Sequence, residues 1–540
     1  MTSRAPRLRS DEVEAVLDDP NRLFELVSEW VAHKRWLGAR RPGERAPNVE
    51  LLDSTPFSLE GGFRGTWLRL TASSKEYLCP LLFVPGELKV AGDELFVVEA
   101  ELVPQFWEEI LGGRGSGGKI PLATQVVARS VPERIPRLDH VKSVEVLGGG
   151  DTTNLVVRVL AEGASFVVKS YRRVRNINRE VATLDHLTRV GFPHSPKLYL
   201  TTGLVLPGVE TPPVVHALLE DLGSGEDAGA AVWDSARRLL VESTGEGAQP
   251  SDVISQVNDS VLGLGDHLGG VARVVARFHE AMRSGDRPPF QPGAATREDV
   301  LGWVAKLRGD LDRAAQFLAD LPGTGAQSPI FERLGNALGD PQLVRRWKPR
   351  LSPGLPVQPV HEDLHLGQLV RSGARGGEWV IIDHEGDPQR VSGASGNDPE
   401  DDDQVVQIRR LPVQVDLAAL VRATSYIKLH AIRAVLETSL ERACELVLAG
   451  QVGGGEGEWG TGLDFINEWE RRVARALVSK YCELAGVAPD QEFFEVLSFF
   501  TVSRAASELR YELEYRPARA AVPATGLLEL LQARGVTGPN

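Results

Sequence analysis

Val360-His361-Glu362-Asp363-Leu364-His365-Leu366-Gly367-Gln368 and, further on, Trp379-Val380-Ile381-Ile382-Asp383-His384-Glu385-Gly386-Asp387-Pro388 are read together. The first piece is short, polar and acid-bearing. The second begins as an apolar run of strand length and breaks into Asp383 and a Gly/Pro turn. Two acids are thus presented from loops beside a buried strand. Asp363 is followed by an amide, Gln368, five residues on, and by a second carboxylate, Asp383, twenty residues on.

That spacing has a mechanical meaning. A kinase catalytic loop runs His-x-Asp, then four residues, then an amide that holds Mg²⁺, and a second Asp for the metal follows at a strand end. On this reading Asp363 accepts the proton of a substrate hydroxyl, and Gln368 and Asp383 hold the ion. Glycine at 367 suits the tight loop that brings the amide round. Without further signals, the same residues describe an acidic loop capped by a strand.

Composition narrows the classes. A chain of 540 residues, 42% hydrophobic, has material for more than one core. A net charge of −14 argues against a bulk nucleic-acid binder and otherwise means solubility. Cys79, Cys444 and Cys482 are too few and too far apart for a disulfide framework, which fits a reducing compartment. The basic N-terminus has no apolar segment behind it, and no run is long enough to cross a bilayer, so a cytoplasmic protein without membrane contact is expected.

The remaining chain supplies the other kinase parts. Asp11 to Val31 carries a helical apolar stripe broken near Pro20, and β-like runs follow at Thr66–Leu70 and Glu94–Val98. Between them Lys34 to Arg41 encloses Trp36, either as a lid over phosphate or as a solvated face with one anchoring Trp. Gly112 to Gly118 reads as a linker. Gly149, Gly150, Thr152 and Thr153 lie in a small-residue turn between two strands, where backbone N–H groups can approach phosphate. Lys169 ends a β-branched run, and Glu180 falls on the following helix, the arrangement that grips nucleotide phosphates. His216 to Gly223 has the character of a hinge, with Glu220 and Leu222 placed at the adenine. The second half is mostly helical, with stripes through Val271 to Phe278, from Asp416, through Trp469 to Tyr481, and over Glu492 to Tyr515. His279 reads as structural. Thr244–Ser251, Ser392–Gln404 and Val452–Gly462 read as surface loops, and the acidic run Asp398 to Asp403 as a solvated one.

Taken together these segments resemble the bacterial maltokinases, aminoglycoside-phosphotransferase-like sugar kinases with an N-terminal cap. The catalytic loop resembles His-Gly-Asp-Leu-His-Leu-Gly-Gln, with Gln368 at the amide position, and the metal motif resembles Asp-Phe-Glu-Gly-Glu-Pro. Arg35-Trp36-Leu37-Gly38 is similar to a cap motif. Asp416, Arg422 and Tyr426 match one helix, and Glu508 to Glu512 with Arg516-Pro517 match a C-terminal segment. Glu362 replaces a Gly and His384 a Phe, the cap lacks a Gly-Lys-Gly-Arg, and the acidic insertion before Asp416 is longer. Glucosamine kinases share much of the pattern.

The resemblance implies an α+β, bilobal, protein-kinase-like fold: a cap over residues 1–118, an N-lobe over 119–222 and a mostly helical C-lobe over 223–540. It implies ATP and Mg²⁺ as cofactors, maltose as acceptor, maltose 1-phosphate as product, and association with a trehalose synthase. His365, Glu385, Arg422, Tyr426, Tyr511 and Glu512 are expected at the sugar, although Glu512 with Arg516 equally makes an intrahelical pair. Glucosamine is the alternative acceptor. A metal hydrolase would instead read His361, Asp363, His365, Asp383 and His384 as ligands, leaving Lys169 and Glu180 unexplained. A catalytically dead binding protein is at odds with the intact Lys169, Asp363, Gln368 and Asp383.

Overall fold

The computed structural model describes residues 5–532 except 39, 42, 60–61, 86–93, 113–125, 131–139, 149–153, 176, 207–208, 210, 245–249, 287, 321–327, 340–350, 388–407 and 451–462. The glycine–threonine turn, the linker glycines after Gly112, the acidic run and the loop 452–462 lie outside the described residues. Two compact units form. One holds the described residues up to 188 and 196–221; the other holds those of 189–195, 222–389 and from 408 onward.

The first unit contains two antiparallel sheets. The five-stranded sheet runs in the order Arg7–Arg9, Glu94–Glu99, Lys75–Pro85, Arg64–Ala72, Val49–Ser58. Alternate side chains leave its opposite faces, as the two-residue period of a strand requires. Leu68, Leu70, Cys79, Leu81 and Phe83 meet the helices Val13–Leu17 and Pro20–Ala32 on one side. Trp67, Leu78 and Leu82 point the other way. The break expected near Pro20 is real: Asp19 caps the second helix by accepting from the N–H groups of Asn21 and Arg22, and Pro20 starts it.

The six-stranded sheet runs Val126–Ser130, Leu198–Leu204, Val214–Glu220, Ala164–Ser170, Leu155–Ala161, Val141–Val146. Its inner face shares one hydrophobic cluster with the five-stranded sheet, from Trp67 and Leu82 through Phe106 and Trp107 to Val157, Val168 and Leu218. Backbone joins the two as well. Leu78 N–H donates to Arg172 O at 2.6 Å, and Val174 N–H to Glu76 O at 2.9 Å.

The second unit is mainly helical. The expected stripes form the helices Gly265–Met282, Gln414–Val435, Asp464–Ala485 and Gln491–Tyr515. Pro250 and Ser251 open a helix rather than closing a loop, with proline at the first position, where its missing N–H costs nothing. Two small β elements carry the segments that hold Asp363 and Asp383. Pro356–Pro359 pairs with Gly293–Ala294 and Arg410–Leu411, and Leu369–Ser372 forms a hairpin with Glu378–Ile381. Among the described residues no helix is long and apolar enough to cross a membrane.

Candidate active site

In the first unit, Lys169 ends its strand with its Nζ 2.9 Å from Glu180 Oε2, both side chains almost fully buried. Tyr171 Oη donates to the same carboxylate oxygen at 2.8 Å. Glu180 sits in the first turn of the helix Arg179–Arg189, where the dipole favours an anion. The lysine is therefore aimed by a carboxylate that is itself held. Of the hinge residues, Glu220 gives its N–H to Lys197 O at 2.9 Å. His216 is an interior residue, bonded to Thr202 Oγ1 at 2.8 Å and to Glu101.

Of the two readings of Trp36, its surroundings favour the anchor. Its ring is only 7% exposed, its Nε1 donates to Glu99 Oε1 at 2.9 Å, and it packs against Tyr77. Glu99 also receives Lys34 at 3.2 Å and Arg172 at 3.3 Å, and Arg172 pairs with the buried Glu101. Arg40 in the same segment turns back onto Ala32 O at 2.7 Å. Trp36 is thus pinned by a buried charge network. That network is balanced: Arg172 and the His216 bond outweigh burial and hold the Glu101 carboxyl down to about 2.

In the second unit, the loop after Pro359 is tied down at its backbone. Asp416, in the first turn of its helix, accepts from the N–H of His361 and of Glu362, both at 2.8 Å. His279 braces Asp416 at 3.0 Å and contacts Tyr481 Oη at 2.8 Å, so it is structural as expected. Asp363 then projects from a fixed loop. Burial raises its pKa, and Arg504 opposes that by donating to Oδ1 at 2.6 Å. His365 caps the following turn through Nδ1, which accepts from Gly367 N–H at 3.1 Å, and burial lowers its pKa toward the neutral ring.

The hairpin brings the two metal candidates together. Leu369 lies opposite Ile381, and Ile382 N–H donates to Gln368 O at 2.9 Å. Gln368 Nε2 therefore lies 3.1 Å from Asp383 Oδ2. Turning the amide over presents its oxygen instead, and a carboxylate with an amide oxygen suits a hard cation such as Mg²⁺. Asp383 holds φ +63, a left-handed conformation that a residue with a Cβ rarely adopts. Glu385 follows in the same turn. Leu222 O accepts from Ser372 Oγ at 3.1 Å and Ala374 N–H at 3.2 Å.

The hydrolase ligand set does not assemble. His361 and His384 donate from Nε2 to the carbonyls of Ile382 and Ile381, and both rings pack on Phe278. They form the floor of the loop.

The sugar candidates separate. Arg422, expected at a cleft, is buried and bonds Glu508 Oε2 at 3.1 Å, with Tyr426 under its guanidinium at 5.5 Å. Arg504 takes the other Glu508 oxygen at 3.0 Å. Glu512 makes the intrahelical pair with Arg516 at 2.7 Å, and Arg516 lies over Tyr511 at 5.0 Å. None of these four candidates lines the cavity that adjoins the loop. Its walls are instead Trp303 and Phe500, in edge contact at 5.4 Å, with Lys306, Glu362, Arg409 and Arg504, and with Asp387 beyond the turn that holds Asp383. Sequence reading missed Trp303, Lys306, Arg409 and Arg504. Only Arg504 left a signal, one helical turn before Glu508 on the same face.

Residues 143–385 match the family model described as the phosphotransferase enzyme family. The fold is kinase-like. Glucosamine kinase from Streptacidiphilus jiangxiensis is 30% identical over 124 residues, which is 21% of this chain and 22% of that protein. Glucosamine kinase from Mycolicibacterium smegmatis is 25% identical over 179 residues, 33% of this chain and 37% of that protein. The matched stretches thus span well under half the length of either relative. Two solved glucosamine kinase structures superpose over nearly the whole chain. One, crystal form B, has a TM-score of 0.53 at 18% identity, covering 93% of this chain and 99% of that one. The other, a complex with glucosamine, ADP and inorganic phosphate, has a TM-score of 0.51 at 17% identity, covering 93% and 98%. At that identity the likeness establishes the bilobal α+β fold.

Proposed function

We propose that the chain is an ATP-dependent sugar kinase. The observation that carries this is the second unit's constellation. A backbone-anchored Asp363 is followed by a hairpin that sets Gln368 beside Asp383 at 3.1 Å. The Lys169–Glu180 pair of the first unit supports it independently.

Asp363 takes the proton of the acceptor hydroxyl as that oxygen bonds to the γ-phosphorus and ADP departs. Its raised pKa makes it a stronger base than an exposed carboxylate, while Arg504 keeps it ionised. Lys169, oriented by Glu180 and Tyr171, neutralises phosphate charge. Glycines 149 and 150 and Thr152 and Thr153 cover the phosphates in this reading. Gln368 and Asp383 would hold Mg²⁺, which screens the transferred phosphoryl group when bound. Positioning and charge neutralisation supply most of the acceleration in such chemistry.

For the acceptor, Trp303 and Phe500 offer the cavity an apolar wall suited to the face of a pyranose. The cations of the lining are already matched, Lys306 by Asp310, Arg409 by Glu362 and Arg504 by Asp363 and Glu508, so charge alone does not choose the sugar. Maltose, a neutral sugar and the acceptor implied by the sequence resemblance, is the first reading. Glucosamine is the second reading, favoured by the names of the relatives. The proposal does not extend to a trehalose synthase partner. The test is a panel of maltose, glucose and glucosamine with ATP and Mg²⁺, read by product mass. A phosphorylated sugar is expected, and no product from any sugar contradicts the reading.

A further inference from the structure

Glu362 is unusual in three respects. Its backbone holds φ +72, a left-handed conformation in which a Cβ is strained and glycine is not. Its residue surface is only 4% exposed, which for a carboxylate demands a partner. And what surface it has lines the cavity beside the catalytic loop. Its own N–H bond to Asp416 does not require the side chain, so loop anchoring alone would be served by glycine. Strain of this kind persists where the side chain has work to do.

The side chain meets Arg409, whose Nη2 lies 2.9 Å from Glu362 Oε2. The small sheet brings their segments together: Pro359 pairs with Arg410, and Arg409 lies one residue and Glu362 three residues beyond that pair. Arg409 remains partly open, with 27% of its side chain exposed, while the Glu362 side chain behind it is 2% exposed. A carboxylate and a planar guanidinium side by side offer acceptors and a fork of donors on one surface. Vicinal sugar hydroxyls, each both donor and acceptor, match such a surface. Trp303 and Phe500 supply the apolar wall of the same cavity.

We propose that the Glu362–Arg409 pair determines acceptor specificity by hydrogen-bonding hydroxyls of a neutral sugar next to the one that reacts. This rests on the sugar-kinase reading and deepens it. Glu362 itself takes no proton and is not a catalytic residue; it fixes the acceptor relative to Asp363.

The test uses the full chain and two variants. Glu362→Gly removes the carboxylate and fits the left-handed backbone. Glu362→Gln keeps the shape and removes the charge. Each is assayed with ATP and Mg²⁺ against the sugar the wild type phosphorylates, with melting measured alongside. The KM for the sugar rises about tenfold or more in both, the loss expected from one charged hydrogen-bonding group. The KM for ATP and kcat stay close to wild type, and Glu362→Gly melts no earlier. An unchanged sugar KM in both variants overturns the inference while leaving the kinase reading intact. A fall in kcat with unchanged sugar KM also overturns it, because that is the mark of a loop support. A wild type that phosphorylates no sugar removes the parent reading, and the inference with it.

Discussion

Replacing Trp36 by alanine separates an anchor from a lid. The ring is buried, packs on Tyr77 at 5.8 Å between centroids, and lies 5.9 Å from the Arg172 guanidinium. Truncating a buried aromatic to alanine costs about 3–5 kcal/mol. The lost Nε1 bond adds little, because Glu99 keeps Lys34 at 3.2 Å and Arg172 at 3.3 Å and is not left unpaired. Trp36→Phe keeps a ring but loses that bond together with part of the buried indole, so its cost falls between those of wild type and the alanine variant. For a unit of this size each kcal/mol moves the melting point by about 2–4 °C, so the alanine variant melts roughly 6–20 °C lower. Calorimetry on both variants gives the shift, and sugar phosphorylation and free ATP hydrolysis are measured per folded molecule. Activity should follow the folded fraction. An alanine variant that melts like wild type but leaks ATP to water would refute the anchor and restore the lid.

Two further outcomes follow from the site. Arg504→Met removes the group that holds the buried Asp363 ionised. The base works deprotonated, so activity falls as pH drops through its pKa; without Arg504 that pKa rises further, and the acid limb of kcat/KM moves to higher pH. An unmoved limb contradicts the assignment. Asp383→Ala should raise the Mg²⁺ needed for nucleotide binding more than Gln368→Ala does, since a carboxylate brings a full charge and an amide only a dipole. Equal Mg²⁺ dependence in the two variants would count against the pair as unequal ligands.

Sequence carried the local part of this account well. Hydrophobic period marked the helices around Phe278, Trp469 and Phe499, and the apolar run before Asp383 became the strand Glu378–Ile381. The spacing of Gln368 and Asp383 brings the two side chains together because a hairpin of fixed register lies between them. What escaped was long-range. Arg504 reaches Asp363 across 141 residues, and Trp36 meets Glu99 across 63. No periodicity encodes such pairings. The misplacement of Arg422 has the same origin, since its charge looked available until Glu508, 86 residues on, was seen to claim it. Glu362 drew notice only as a departure from a glycine; its left-handed backbone and its partner Arg409 are tertiary facts.

The central claim is that Asp363 is the base of a phosphoryl transfer, and Asp363→Asn tests it most directly. The amide keeps the shape of the side chain but cannot take the proton. Nucleotide binding, followed by calorimetry with ADP and Mg²⁺, should remain near wild type, while turnover of the phosphorylated sugar falls by about 10²–10⁴-fold, the usual contribution of a positioned general base. A folded, nucleotide-binding Asp363→Asn protein that turns over at a near-normal rate would contradict the account.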